Sequence, residues 1–546
     1  MSNKCIPIAL LAIGWVVVAV FAISANADSL FNQTGTDLRG IQLPNHPQSI
    51  VEDESLGCDQ FAANYNHKKP DSKPKNSSSV RVQLFNHHHK EENRYKSRKT
   101  LLLESLARDR SRVRAFRHRL AKSRPATAPL AAHVAAYSSD AAAYSSDVAT
   151  SMKDGNISTS TVLEAHVESG VSVGSGEYFM DVFIGTPPRK FQLILDTGSD
   201  LNWVQCLPCE DCYEQEGPVF NASLSSSYRP VRCSAPECSL VTGPEDTGAA
   251  GNSTTCTKAP SSPCKYFYWY GDRSNTTGDL AFETFTVNLS SAAPVAVGGV
   301  VFGCGHANRG LFHGAAGLLG LGRGQLSFTS QLRRHYGHKF SYCLVDRNSN
   351  LSVTSTLVFG EDHRFHAADR RLAADSRLQY TAFLSGEVDT FYYLNVSSLT
   401  VGGERVNVSS HVWDVASGGV IIDSGTTLTY LAQPAYDLIQ AAFESKIGYP
   451  RADFPPLGLC YNISGVADVK LPEFSIRFGD GAVWKFPAEN YFIQPDPDES
   501  VVCLAVLGTP ENSLSIIGNY QQQNFHILYD VDNSRLGFAP MECADL

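Results

Sequence analysis

Apolar and polar positions divide the chain into regimes with different periods. An apolar run from Ile6 to Ile23 follows Lys4 and ends just before Ala25-Asn26-Ala27. Residues 28–80 are polar and irregular. Across 91–122, Leu101, Leu102, Leu106, Val113, Phe116 and Leu120 recur near helical spacing among many arginines, which predicts a helix. Residues 123–160 carry Pro125, Pro129 and a small repeat, Ala136-Tyr-Ser-Ser-Asp140 echoed by Ala143-Tyr-Ser-Ser-Asp147. Such a stretch has little to bury, and exposure is expected across 123–172. From Gly176 the texture changes to short Val, Ile, Phe and Tyr runs separated by Gly, Pro, Asn and Ser. The predicted strands are Glu177–Ile184, Lys190–Leu195, Val297–Phe302, Phe391–Val401, Val420–Ile422, Ser500–Val506 and Phe525–Val531. Two short helices are predicted at Leu326–Tyr336 and Pro434–Ile447, so the body is all-β.

One repeat sets the architecture. Leu193-Ile-Leu-Asp196-Thr-Gly-Ser199 returns as Val420-Ile-Ile-Asp423-Ser-Gly-Thr426. Each copy runs an apolar strand into a glycine turn, which implies two related lobes, each offering one carboxylate. The boundary between them is expected in the polar stretch 361–380. Gly198 and Gly425 permit a sharp turn and close backbone approach. Thr197 and Ser424 offer hydroxyls that can tie one turn to the other lobe. Ser199 and Thr426 can orient their own lobe's carboxylate. Two carboxylates brought together share a proton, so one serves as base and its partner as acid at mildly acidic pH. A water held between them can attack a peptide carbonyl without a metal or a covalent nucleophile.

Charge and cysteine usage change the picture in two ways. The 546 residues carry a net charge of -10 and 18% charged residues, a globular composition that argues against a nucleic-acid binder. The charge is split: residues 68–124 hold net +13, whereas residues 168–546 hold net -16. A basic arm therefore precedes an acidic body. The N-terminus reads as a secretory signal peptide cleaved near Ala27, with a retained membrane anchor as the other possibility. Of 14 cysteines, Cys5 lies in the signal and Cys58 in the arm. The remaining twelve are Cys206, Cys209, Cys212, Cys233, Cys238, Cys256, Cys264, Cys304, Cys343, Cys460, Cys503 and Cys543. An even count in a secreted chain predicts disulfides, although Cys206, Cys209 and Cys212 also have spacings seen at metal sites. Sequons at Asn221, Asn252, Asn275, Asn288, Asn350, Asn395, Asn407 and Asn462 fit a secreted glycoprotein. His87-His88-His89 reads as polar propeptide rather than a metal site, and no metal or cofactor is expected.

The order of motifs is similar to that of pepsin-type aspartic proteases, and more narrowly resembles the plant nepenthesin-like branch. The likeness covers about 175–543. It rests on Gly176-Glu-Tyr-Phe179, Ile184-Gly-Thr-Pro-Pro188, Asp196–Trp203, Tyr270-Gly-Asp272, Gly317-Leu-Leu-Gly-Leu-Gly322, Asp423–Thr427 and Ile517-Gly-Asn-Tyr-Gln-Gln-Gln-Asn524. The resemblance implies a bilobal pepsin-like fold with the cleft between the lobes and Asp196 and Asp423 as the catalytic dyad. It implies a flap hairpin bearing Tyr270 and Gly271, with Trp203 beneath the tyrosine. Arg273 stands where many such flaps have glycine, which bears on flap-tip mobility and subsite preference. The resemblance also implies six disulfides, among them Cys460 with Cys503.

These readings divide the chain into a signal at 1–27, a basic propeptide and linker at 28–167, an N-terminal lobe with a Cys-rich insertion at 168–365, and a C-terminal lobe at 366–546. The expected function is a secreted aspartic endopeptidase made as a zymogen, acting on polypeptide substrates as a monomer without stable membrane association. Its own propeptide would restrain it through Lys and Arg pairing with carboxylates of the body, a hold that acid would weaken. The expected location is the apoplast or cell wall, with the vacuole or endomembrane system as the other possibility. The competing reading is a catalytically silent binding or inhibitor protein on the same scaffold. A structural cell-wall glycoprotein is a third.

Overall fold

The structure, a computed structural model, describes residues 98–123, 162–169 and most of 176–545 outside 242–255, 271–273, 288–293 and 362–377. The signal, Cys5, Cys58, His87–His89, Gly271, Arg273 and most of the expected lobe boundary lie outside the described residues, as do the sequons at Asn252, Asn288 and Asn350.

Two lobes repeat one arrangement around the two aspartate turns. In the first lobe, strand Arg189–Asp196 runs parallel to Gly317–Gly320, with Asp196 opposite Gly320. Strand Trp203–Gln205 returns antiparallel to the same Gly317–Gly320 strand. In the second lobe, Val420–Ile422 runs parallel to Ser515–Ile517, and Thr429–Ala432 returns antiparallel to it. Both aspartate strands are paired on both edges, and their apolar residues Leu193, Ile194, Leu195, Val420, Ile421 and Ile422 are all buried, as in an interior strand covered on both faces. An antiparallel sheet backs the pair. It runs from Gln379–Leu384 through Arg535–Pro540, Phe525–Asp530, Lys339–Cys343 and Ser355–Gly360 to Val162–Ser169.

Strand bounds follow the hydrophobic pattern with two informative differences. The predicted strand Phe391–Val401 is two strands, Tyr393–Leu394 and Val396–Val401, interrupted at the exposed Asn395. The predicted strand Ser500–Val506 breaks at Ala505 because the chain changes sheets. Val501–Leu504 pairs with Leu457–Asn462, whereas Val506–Thr509 runs beside Thr429–Ala432. The two helices form at Phe328–Tyr336 and Gln433–Glu444.

The exposure expected over 123–172 requires correction at 162–169, whereas 124–161 lie outside the described residues. Val162–Ser169 is a strand paired on both sides, with Ser355–Gly360 and with Tyr178–Ile184. Its Leu163, Ala165 and Val167 are buried in the main core, and its backbone is engaged in pairing. The strand also crosses the 167/168 division between propeptide and lobe.

All twelve body cysteines are paired. The bridges are Cys206–Cys304, Cys209–Cys212, Cys233–Cys256, Cys238–Cys264, Cys343–Cys543 and Cys460–Cys503. The metal-like spacing of Cys206, Cys209 and Cys212 is thus divided between two bridges, one reaching across to Cys304.

The predicted arm helix forms as α1, Arg98–Ser123. Its 26 residues contain neither Gly nor Pro and are rich in Leu, Arg, Ala and Lys, all strong helix formers. Ala107, Arg110, Arg114, Arg117 and His118 mark the exposed stripe. The opposite face buries Leu106, Val113, Phe116 and Leu120, but also Arg108, Asp109 and Arg112. Three charged residues on a buried face need partners in the body.

Candidate active site

The two aspartate turns meet at the floor of a cleft, and their bracing repeats across the lobes. Asp196 and Asp423 are both fully buried. Gly198 N–H donates to Asp196 Oδ1 at 3.0 Å, and Gly425 N–H donates to Asp423 Oδ1 at 3.0 Å. Ser199 Oγ donates to Asp196 Oδ2, and Thr426 Oγ1 donates to Asp423 Oδ2 at 2.5 Å. The lobes are stitched by reciprocal bonds: Ser424 N–H to Thr197 Oγ1 at 2.8 Å, and Thr197 N–H to Ser424 Oγ at 3.1 Å. The glycines are required sterically. A Cβ at Gly198 would lie 2.8 Å from Asp423 Oδ1, and one at Gly425 only 2.4 Å from Asp196 Oδ1. Each glycine therefore makes room for the other lobe's carboxylate. The six supporting residues read from the repeat all converge here.

Tyr270 follows strand Lys265–Trp269, which pairs with Asn275–Val287. Trp203 Nε1 donates to Tyr270 Oη at 2.7 Å, so the tryptophan holds the tyrosine by a hydrogen bond as well as by contact. Burial pushes the Tyr270 hydroxyl well above its ordinary range, which leaves it protonated.

Sequence reasoning did not assign a role to Asn519 or to particular residues of the arm. Asn519 Nδ2 donates to Ser424 O and to Gly176 O, both at 2.9 Å, which props the second turn from behind. The arm enters the site itself. Arg112 Nε donates to Asp423 Oδ2 at 2.8 Å, and its Nη2 donates to Asp423 Oδ1 at 3.0 Å and to Asp196 Oδ1. One guanidinium thus bridges both carboxylates. Asp109 accepts from Thr427 N–H at 3.0 Å and Leu428 N–H at 3.0 Å. Arg108 donates to Gly425 O at 2.5 Å and pairs with the buried Glu177. Phe116 packs on Phe391 with ring centroids 4.6 Å apart. Arg119 donates to Trp269 O at 3.2 Å and lies over the Tyr268 ring, so α1 also holds the strand that precedes Tyr270.

The electrostatics follow. Burial works to raise the Asp196 carboxyl, but the Arg112 guanidinium and the bonds from Ser199, Arg112 and Gly198 outweigh it. The carboxyl is held below its ordinary value of 3.8. Burial works against the Arg112 charge, and the two carboxylates more than restore it, so it stays a cation. Burial raises Asp109 despite Arg108 and the backbone donors. A water bridging the two carboxylates would need the oxygens that Arg112 now occupies.

Comparison with known proteins agrees with this geometry. Residues 178–361 match the family model described as "Xylanase inhibitor N-terminal", and 391–540 match "Xylanase inhibitor C-terminal". "Aspartyl protease family protein 2" of Arabidopsis thaliana is 43% identical over 385 residues, covering 69% of this chain and 73% of that protein. "Aspartic proteinase nepenthesin-1" of Nepenthes gracilis is 38% identical, covering 69% and 80%. The solved structure "Crystal structure of edgp" superposes with a TM-score of 0.56 at 22% identity, covering 72% of this chain and 97% of that one, a likeness of fold. The chain belongs to the plant pepsin-like aspartyl protease family, with curated relatives that include the nepenthesins. It is an aspartic-type endopeptidase.

Proposed function

We propose that Asp196 and Asp423 are the catalytic dyad of a secreted endopeptidase made as a zymogen, and that α1 is its built-in inhibitor. The observation that carries this is Arg112, which bonds to both carboxylates at the position a reacting water would take. With the arm gone, the two aspartates share a proton. One then draws a proton from the water while the other polarises the substrate carbonyl. Tyr270, held by Trp203, would close over the substrate and exclude bulk water. Six disulfides support an oxidising compartment, and the apolar run Ile6–Ile23 before Ala25-Asn26-Ala27 supports export to the apoplast or vacuole.

The family models take their description from xylanase inhibitors, which favours a second reading as a silent binding protein. One experiment separates them. Cleavage of a denatured protein is followed from pH 2 to 8 with acid-treated chain, with Asp423→Asn, and with a statine-type inhibitor. Acid-dependent cleavage abolished by both treatments is expected. Inert but correctly bridged protein would favour the binding reading.

A further inference from the structure

The contact between α1 and the cleft contains an ion pair that peptide hydrolysis does not need. Glu177, just before strand Tyr178–Ile184, is 2% exposed, and its partner Arg108 is 6% exposed. The pair lies beside the reacting centre. The same guanidinium donates to Gly425 O, and Arg112, one helical turn further on, sits on both aspartates. A cavity at this place is walled by Ile194, Tyr270, Phe312 and Leu318, and Glu177 is its one carboxylate. Both basic residues that line it, Arg108 and Arg112, belong to the arm. Departure of the arm would therefore leave a largely apolar pocket, with Ser274 and the single carboxylate Glu177 in its wall, next to the scissile position.

We propose that Glu177 is a specificity-determining residue that takes the guanidinium or ammonium of a substrate Arg or Lys in the space Arg108 fills in the precursor. The inference rests on the reading that Asp196 and Asp423 hydrolyse peptide bonds and that α1 vacates the cleft. The chemistry matches a long basic side chain in two respects. Its aliphatic stem suits the Ile194, Tyr270, Phe312 and Leu318 walls, and its charged head restores the ion pair. A substrate with an apolar or acidic residue at that subsite forgoes the pair while still covering the carboxylate, and sites built for a charged partner discriminate strongly on that account. Arg108 is then a resident copy of the substrate side chain, and the arm is held partly by the enzyme's own selectivity.

The test uses acid-treated full-length chain on a mixed peptide library at one mildly acidic pH, with products sequenced. Wild type is expected to enrich Arg and Lys at one fixed position relative to the cut. In matched peptides differing only there, kcat/KM for Arg over Leu should be about 10-fold or more. Glu177→Gln should collapse that ratio towards one, and Glu177→Arg should invert it in favour of Glu, a gain that misfolding cannot produce. Asp423-dependent cleavage without basic enrichment, or with enrichment that survives both substitutions, would overturn the inference and leave the protease reading intact. Absence of any Asp423-dependent cleavage would overturn the protease reading and this inference with it. If neither variant folds, the wild-type library profile decides.

Discussion

The two aspartate turns are alike beneath and unlike above. Beneath, each carboxylate takes one glycine N–H at 3.0 Å and one hydroxyl, and each turn lends a hydroxyl to the other lobe's backbone. Above, α1 binds them unequally. The second turn receives Asp109 on two N–H groups, Arg108 on Gly425 O and three bonds from Arg112, two on Asp423 and one on Thr426 Oγ1. The first receives only Arg112, on Asp196. The part that holds two carboxylates in the same pose is repeated because both have the same need. The part that covers them is anchored on one lobe and reaches across to the other.

The largest expected effect breaks the lower, repeated half. Asp196→Asn and Asp423→Asn should each lower kcat by at least about 10³-fold on a peptide substrate, because neither carboxylate acts without its partner. A substantially smaller loss from one of them would show that the two turns are not equivalent in the reaction.

The second prediction removes the bridge between the halves. Stability that Asp196 gains from being ionised is fully present above its ordinary pKa of 3.8 and is lost as pH falls through a lower folded value. The precursor should therefore stay uncut above about pH 4 and convert below it. Arg112→Ala should move that midpoint upward by more than about one pH unit, read as precursor and mature bands on a gel after incubation across pH. An unchanged midpoint would show that Arg112 does not set the restraint.

The third prediction compares the cross-lobe hydroxyls. Thr197→Val strips the acceptor from the buried Ser424 N–H, and Ser424→Ala strips the acceptor from Thr197 N–H. Each should lower unfolding free energy by about 1–3 kcal/mol, and the double variant should lose less than the sum because the bonds are reciprocal. Denaturant titration of the three variants checks it.

The lower half was legible in the sequence and the upper half was not, for a physical reason. Within the Asp-Thr-Gly-Ser and Asp-Ser-Gly-Thr turns each carboxylate takes a glycine N–H and a hydroxyl from its own four residues, so the local pattern already contains that part of the geometry. Even Trp203 and Tyr270 came from motif order. The arm helix was legible as a helix, but its function depends on which of its arginines meets two carboxylates 84 and 311 residues away. Apolar spacing gave the face through Leu106, Val113, Phe116 and Leu120. It passed over Arg108, Asp109 and Arg112 because charged residues on a helix ordinarily mark the solvent side. A charge sharing the apolar stripe, Asp109 and Arg112 between Leu106 and Phe116, was the available signal. Glu177 stands within Gly176-Glu-Tyr-Phe179, where the local pattern gives it no role, and its ion pair with the distant Arg108 singles it out.

The smallest expected effect is at Asp109, and it sharpens the asymmetry above the turns. Acid acts on the two arm contacts with opposite sign. Asp196 is held below its ordinary pKa, so acid weakens the Arg112 bridge. Asp109 is raised by burial, so its ionised form is the one penalised in the folded state. The stability linked to that shift is fully present below 3.8 and is lost as pH rises through the higher folded value. Falling pH therefore relieves the buried Asp109 charge while it breaks the hold on Asp196. Asp109→Asn, which imitates the relieved form, should move the conversion midpoint by less than about half a pH unit. Arg112→Ala moves it several times further. If Asp109→Asn instead matched Arg112→Ala, the restraint would reside in the second lobe's backbone contact rather than in the bridge, and acid would have to release the arm by a route other than the dyad.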